Sequence, residues 1–192
     1  MAVPRQQYSP RKPNGGDRRP TPVPARILRA AYDGEVAQVN PVGLDDELFR
    51  EIILDHYRHP RHRGLVEPAD VATHGHNPLC GDEVDLTLRV KGEEVEAVGF
   101  EGQGCSISMA AASMMSEEIQ GKSLANTKDL IRRFRAMLLD GQDPTTVGQI
   151  GDLEALAGVR RYAARIKCAM LPWTALEAGL TQLEGTHGRT DD

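Results

Sequence analysis

The stretch Val84-Asp-Leu-Thr-Leu-Arg-Val90, followed by Lys91-Gly-Glu-Glu94 and Val95-Glu-Ala-Val-Gly-Phe100, decides the fold of this chain. In its first part apolar residues alternate with polar ones, which is the pattern of a strand with one buried face. The glycine-containing segment predicts a turn, and the second apolar run predicts an antiparallel partner strand. Together they predict a β-hairpin.

Helical periodicity dominates most of the sequence around this hairpin. Before it, Asp45 is expected to cap a helix that ends near His59, and residues 71–76 are expected to add a short strand. After it, helices are expected over Cys105–Gln120, from Asn126 to about Gly141 and from about Lys167 to Leu183, with a short helical piece over 152–157. Pro172 is placed in the first turn of the last helix. This order predicts an α+β fold, a small three-stranded antiparallel sheet with helices packed on one face.

Composition narrows the class of protein. The chain has 192 residues, a net charge of −5 and three cysteines. It contains no apolar run long enough to span a bilayer, and its acidic balance does not suggest a nucleic-acid partner. A small, odd number of cysteines without a secretory signal argues against a disulfide framework and for a reducing compartment. We therefore predict a cytoplasmic protein.

Charge and proline divide the chain into three parts. Residues 1–43 carry seven basic and three acidic residues, a net charge of +4, and seven of the 12 prolines. Such a sequence does not bury enough apolar area to order itself. We predict a disordered tail over 1–43, a folded domain over 44–183 and a flexible C-terminal tail over 184–192.

Three cysteines and one aspartate form the candidate site: Cys80, Asp82, Cys105 and Cys168. Three thiols and a carboxylate supply the four donors of a tetrahedral zinc site, and each iron of a thiolate-held cluster needs the same number. Because Cys105 and Cys168 are both expected at helix starts, a lowered thiol pKa is predicted for each. Spacing alone also allows a purely structural zinc site, and an isolated cysteine would be ordinary packing.

Three histidines recur at a spacing of three along the first helix and its exit: His56, His59 and His62. This spacing resembles one metal-binding face of a helix. Pro60 interrupts the helical register, however, so solvent-exposed positions are the favoured interpretation.

Several longer motifs together resemble the SufU/IscU/NifU-N family of iron–sulfur cluster assembly proteins, over roughly residues 44–183. They are Glu51-Ile-Ile-Leu-Asp-His-Tyr57, Asn77-Pro-Leu-Cys-Gly-Asp82, Phe100-Glu-Gly-Gln-Gly-Cys105, Ala112-Ser-Met-Met115 and Arg165-Ile-Lys-Cys168-Ala-Met-Leu-Pro-Trp173. The resemblance implies a SufE/NifU-like fold. Lys167, where the IscU branch carries histidine, and a long stretch between Cys105 and Cys168 both resemble the zinc-dependent SufU branch.

That branch implies Zn²⁺ held by Cys80, Asp82, Cys105 and Cys168, and a SufS-type cysteine desulfurase as partner besides other cluster assembly proteins. In the implied mechanism one thiolate ligand is exchanged for a group on the partner and then accepts persulfide sulfur. Cys80 is the expected acceptor and Cys168 the alternative. Arg165 is a further candidate catalytic residue, because its charge would hold the neighbouring thiolate unless it simply faces water.

Three functions remain open at this point. The first is a zinc-dependent sulfurtransferase that accepts persulfide sulfur, and the second is a non-enzymatic scaffold that assembles a [2Fe–2S] cluster on the same four ligands. The third is a zinc-stabilised interaction domain without sulfur chemistry. The identity of Lys167 and the long stretch before it favour the first.

Overall fold

The predicted hairpin is present and carries a third strand. In the computed structural model, which describes residues 42–187, the sheet consists of β1 (Val71–Asn77), β2 (Asp82–Lys91) and β3 (Glu94–Gln103) in that order. Both strand pairs are antiparallel, with Asn77 opposite Asp82 and Leu86 opposite Phe100. The α+β prediction, a three-stranded antiparallel sheet with helices, is confirmed.

Helices precede and follow the sheet. They are α1 (Val42–Arg58), α2 (Ser106–Ile119), α3 (Leu124–Leu138), α4 (Pro144–Val147), a 3₁₀ helix (Gly151–Arg161) and α5 (Ala163–His187). Helices α2 and α5 pack against the sheet, and α1 and the 3₁₀ helix pack on α2. None of the helices in residues 42–187 is both long and apolar enough to cross a bilayer.

The core lies between the sheet and the helices. Val84, Leu86 and Leu88 are fully buried, as their alternation predicts. Helix α5 approaches β1 through a glycine, because a Cβ added at Gly179 would lie 2.6 Å from Cγ1 of Val71. Closer to the candidate ligands, a Cβ added at Gly75 would lie 3.2 Å from Cδ1 of Leu171, so the first half of α5 packs on the end of β1 next to Asn77.

The segment after α1 runs along the outer edge of β3. The Gly64 N–H donates to the Phe100 carbonyl at 2.9 Å, and the Phe100 N–H donates to the His62 carbonyl at 3.1 Å. A Cβ at Gly99 would lie 2.2 Å from the Gly64 carbonyl oxygen, so this contact requires glycine. The segment thereby ties α1 to the sheet.

Several predicted boundaries differ from the observed ones by two to four residues. Helix α1 already begins at Val42, so Asp45 lies inside it and does not cap it. Helix α3 is capped by Ser123, whose side chain accepts a hydrogen bond from the Asn126 N–H, and ends at Leu138. The helical piece predicted over 152–157 is the longer 3₁₀ helix. The tail prediction for 1–43 falls almost entirely outside the described residues.

Helix α5 differs most from its prediction. It starts at Ala163 and runs to His187, so Pro172 lies in its interior and residues 184–187 are helical. Ala163, Ala164 and Arg165 are strong helix formers and extend the helix upstream of the proline. Proline has no N–H to donate, so the Cys168 carbonyl, one turn before it, loses its usual helical partner.

Candidate functional site

A tight turn between β1 and β2 presents Cys80. The N–H groups of Cys80 and Gly81 both donate to the Asn77 carbonyl, at 3.3 and 2.8 Å, and Gly81 has a positive φ of 73°. The Asn77 side chain accepts from the Leu79 N–H at 3.2 Å and fixes the start of the turn. Cys80 is exposed, and its neighbour Leu79 is 69% exposed.

Two of the predicted thiols are in direct contact. The sulfur atoms of Cys80 and Cys168 are 3.6 Å apart, although 88 residues separate them in sequence. Cys168 is buried, only 3% exposed, and its nearest polar neighbours are the Asn77 amide and the Ala164 carbonyl, both 3.9 Å away. The exposed turn and the buried helix therefore meet at a pair of sulfurs.

Asp82 is held from the first turn of α2. Its Oδ1 accepts from the Cys105 N–H at 3.2 Å, and its Oδ2 accepts from the Ser108 hydroxyl at 2.7 Å. Burial by itself acts to raise the pKa of this carboxyl. The hydrogen bonds from Ser108, Cys80 and Cys105 outweigh burial and bring the pKa of Asp82 below its usual value. Asp82 is therefore an oriented carboxylate.

The predicted helix-start position is confirmed for Cys105 and wrong for Cys168. Cys105 is the N-cap residue of α2. Cys168 is the sixth residue of α5, beyond the first turn in which the helix dipole stabilises an anion. Burial, and then the neighbouring thiols of Cys80 and Cys105, raise the pKa of Cys168 instead of lowering it. Without a cation, Cys168 is a neutral thiol.

Three of the four predicted ligands are mutual neighbours. One ligand atom each from Cys80, Asp82 and Cys168 lie within 4.8 Å of one another, and the Cys105 sulfur lies outside this group, 3.6 Å from the Ser108 hydroxyl oxygen. A tetrahedral site with zinc–sulfur bonds of about 2.3 Å would place its sulfurs roughly 3.8 Å apart. The spacing of Cys80 and Cys168 fits this arrangement, and the donors are those that zinc prefers. We call Cys80, Asp82, Cys105 and Cys168 the thiol site.

Two residues of the site were missed from the sequence. Asn77 and Ser108 contact the predicted ligands, but neither carries a metal-ligating group that spacing arguments would select. A signal for Ser108 does exist. It lies three residues after the N-cap Cys105, at the position where a polar side chain often bonds back to the start of a helix. For Asn77 the signal is its place at the start of a turn.

A second group of metal-capable side chains lies on the far side of α2, and we call it the His56 group: His56, Glu117 and Asp152. His56 is 1% exposed, so the expectation of a solvent-exposed histidine is wrong. Its Nδ1 is 2.9 Å from the Ser113 hydroxyl oxygen and its Nε2 is 3.0 Å from Asp152. These contacts join α1, α2 and the 3₁₀ helix.

A groove of about 480 Å³ lies between α1, the start of α2 and the 3₁₀ helix, and its lining includes Ser106, the residue after Cys105. Apolar side chains such as Phe49, Ile53, Ile107 and Val159 line it, with three arginines: Arg50, Arg161 and Arg165. Arg161 pairs with Asp46 at 3.2 Å, whereas the Arg165 guanidinium has no hydrogen-bond or ion-pair partner among the described residues. Arg165 is exposed, and its side chain makes no hydrogen bond or ion pair with the described residues of the thiol site.

Comparison with known proteins assigns this chain to a family. Residues 48–185 match the model of the NifU-like N terminal domain. The chain belongs to this family. The zinc-dependent sulfurtransferase SufU of Bacillus subtilis is 44% identical over 140 residues, which are 73% of this chain and 94% of SufU. The iron–sulfur cluster assembly scaffold protein IscU of Streptococcus pyogenes is 34% identical over 146 residues, 76% of this chain and 91% of IscU.

Solved structures of the NifU-like family agree with the fold. The crystal structure of a proposed iron–sulfur cluster assembly scaffold protein for the SUF system, from Fervidobacterium islandicum AW-1, superimposes with a TM-score of 0.61 at 34% identity. The match covers 68% of this chain and 94% of that protein. The family resemblance seen in the sequence motifs is thereby confirmed.

Proposed function

We propose that this chain is an iron–sulfur cluster assembly protein that accepts persulfide sulfur from a cysteine desulfurase. The contact between exposed Cys80 and buried Cys168, with sulfurs 3.6 Å apart, carries the proposal. It puts an exposed thiol beside a buried one, and the third thiol, that of Cys105, is half-buried. The 44% identity to a zinc-dependent sulfurtransferase supports it further.

Cys80, Asp82, Cys105 and Cys168 are the proposed metal ligands. Zn²⁺ bound by these side chains would keep the thiols deprotonated, which is the form that attacks sulfur. Asp82 already has an ordered carboxylate, because Cys105 and Ser108 hold both of its oxygens. We also propose a cytoplasmic location, which agrees with three free thiols.

Cys80 is the proposed acceptor. Its thiolate attacks the terminal sulfur of the partner's cysteine persulfide, a new S–S bond forms on Cys80, and the partner's cysteine leaves as a thiolate. The step moves one sulfur atom with no external oxidant. Cys168, the alternative, is buried and has a raised pKa, so a partner's persulfide reaches Cys80 more readily.

Arg165 is proposed to contact the partner and not the reacting sulfur. It lines the groove beside the start of α2, and its charge is not neutralised by another described side chain. Apolar walls and an available guanidinium suit a partner surface that offers an acidic group beside an apolar anchor. We propose a SufS-type cysteine desulfurase as that partner.

A desulfurase assay tests the function. The zinc-loaded chain is added to a SufS-type cysteine desulfurase, and sulfide or alanine production from cysteine is measured. We expect strong stimulation that Cys80→Ala abolishes and Arg165→Ala weakens through a higher apparent KM for the chain. Arg135→Ala is the control, because Arg135 pairs with Glu177 on the surface, 2.8 Å away, outside the groove.

The scaffold function is the alternative, supported by the IscU relative at 34% identity. The same four side chains would then hold a [2Fe–2S] cluster as cargo. No stimulation of the desulfurase, together with a visible iron–sulfur absorption after anaerobic reconstitution, would overturn the sulfurtransferase proposal and establish the scaffold. If neither activity were observed, the remaining function would be that of a zinc-stabilised interaction domain.

A further inference from the structure

Ser108 lies beneath the thiol site and contacts two proposed ligands. It is fully buried on the first turn of α2. Its hydroxyl oxygen is 2.7 Å from Oδ2 of Asp82, 3.6 Å from the Cys105 sulfur and 3.0 Å from the Cys105 carbonyl oxygen. One small side chain therefore connects the β2 ligand to the α2 ligand.

The hydroxyl has a single proton, so its acceptors compete. A serine hydroxyl donates one hydrogen bond, and a bond to a carboxylate is shorter and stronger than one to a neutral carbonyl. The 2.7 Å contact with Asp82 is the shorter of the two, so we assign the proton there. Asp82 then receives one hydrogen bond on each oxygen, from Ser108 and from the Cys105 N–H.

The backbone at Gly104 approaches this contact closely. A Cβ added at Gly104 would lie 2.6 Å from the Ser108 hydroxyl oxygen and 2.8 Å from Cγ of Asp82. Glycine at position 104 is therefore what lets the helix start approach the carboxylate. The sequence Gly104-Cys105 and the serine three residues later act as one structural unit.

We infer that Ser108 is a positioning residue of the metal centre, whose hydroxyl fixes the Asp82 carboxylate in its ligating orientation. The inference rests on the proposed metal ligands and adds a residue that does not itself bind metal. Outer hydrogen bonds of this kind orient ligands, and their loss weakens metal binding by roughly 10- to 100-fold. Without the hydroxyl, Oδ2 of Asp82 loses its 2.7 Å donor, while Oδ1 keeps the 3.2 Å bond from the Cys105 N–H.

Zinc affinity tests this inference independently of sulfur transfer. The full chain is stripped of metal, and the Kd for Zn²⁺ is measured by competition with a chromophoric chelator. Ser108→Ala is expected to raise the Kd about 10- to 100-fold. Ser113→Ala is the matched control, because it removes an equally buried hydroxyl of α2 that bonds to His56 instead. It should leave the Kd unchanged.

A double-mutant cycle shows whether Ser108 acts through Asp82. If it does, Ser108→Ala adds little to the loss already caused by Asp82→Ala, because residues that act as a unit are not additive. Full additivity of the two substitutions would overturn the inference. The metal-free variants are also compared by urea unfolding, which reports any loss of the fold itself.

Ser108→Thr and Ser108→Val form a second test that does not depend on the alanine variant folding. Threonine and valine have nearly the same shape, and only threonine keeps a hydroxyl. We expect tighter zinc binding by the threonine variant; equal affinities would overturn the role of Ser108. If the unaltered chain binds no zinc, the proposed metal centre itself is wrong, and this outcome is distinct from a failure of Ser108 alone.

Discussion

The thiol site and the His56 group both contain side chains that could bind a metal, but the two groups differ in their hydrogen-bond partners. In the His56 group the ring has a partner on each nitrogen, Ser113 at 2.9 Å and Asp152 at 3.0 Å. In the thiol site the sulfurs of Cys80 and Cys168 face each other at 3.6 Å, and the other polar neighbours of Cys168 are 3.9 Å away. The His56 ring therefore has a hydrogen-bond partner on each nitrogen, whereas the Cys168 thiol has no close polar partner besides Cys80 among the described residues.

Neighbouring cations sharpen the difference. The Arg61 guanidinium lies 3.7 Å from Glu117, so positive charge already sits beside the His56 group. No salt bridge among residues 46–185 involves Asp82. A metal ion would therefore neutralise the thiol site, whereas at the His56 group it would compete with an existing ion-pair network.

The largest expected effect is on zinc binding at the thiol site. Cys168→Ala removes a buried ligand, and the Kd for Zn²⁺ should rise by more than about 100-fold, beyond the usual cost of losing an outer hydrogen bond. Chelator competition measures it. The same assay on His56→Ala should return the value of the unaltered chain. Weakened zinc binding in His56→Ala would erase the distinction between the two groups.

The next largest effect concerns the fold. His56→Ala removes a buried side chain and one partner of the buried Ser113 hydroxyl, and should lower the free energy of unfolding by roughly 2 kcal/mol. Urea unfolding of the metal-free chain measures the loss. His56→Gln, which keeps a polar side chain for Ser113 or Asp152, should lose less than the alanine variant. Equal stability of all three proteins would show that the network does not hold the 3₁₀ helix in place.

The smallest effect is a pH dependence of the metal-free chain. The folded pKa of Cys168 is raised above its unfolded value of about 8.5, chiefly by burial. Stability from the neutral thiol is therefore complete below about pH 8.5 and is lost as pH rises toward the folded pKa, by at most about 1.4 kcal/mol per pH unit. Urea unfolding at pH 7.5, 8.5 and 9.5 measures it.

Cys168→Ala supplies the control for this pH dependence. Lysine and tyrosine titrations are common to both proteins and cancel in the difference between them. The alanine variant should lose less stability between pH 8.5 and 9.5 than the unaltered chain. Parallel curves for the two proteins would show that Cys168 does not stay neutral in the folded metal-free chain.

Local patterns predicted the sheet well and the last helix poorly. The alternation from Val84 to Val90 records which side chains face the core, so β2 followed directly from the sequence. Pro172 misplaced α5, because proline usually marks a first turn. Here burial of Leu171 and Trp173 offsets the missing hydrogen bond. The predicted lowering of the Cys168 pKa was wrong because it depended on this misplaced helix start.

The features that the sequence did not predict depend on partners far away in the chain. His56 meets Ser113 and Asp152, which are 57 and 96 residues away in the chain, so no local pattern reports its burial. The cysteines of the thiol site were predictable as a set because the sequence contains no others. Ser108 was not, because serine is common and its role depends on the approach allowed by Gly104.

The turn that carries Cys80 limits how far a bound sulfur can travel. Asn77 and Asp82 form the last pair of the β1–β2 ladder, so only residues 78–81 connect the two strands. If Cys80 carries a persulfide as proposed, so short a loop cannot swing it to a distant recipient. Donor and recipient would then have to use the same surface in turn, and the proposed desulfurase would have to dissociate before sulfur is delivered.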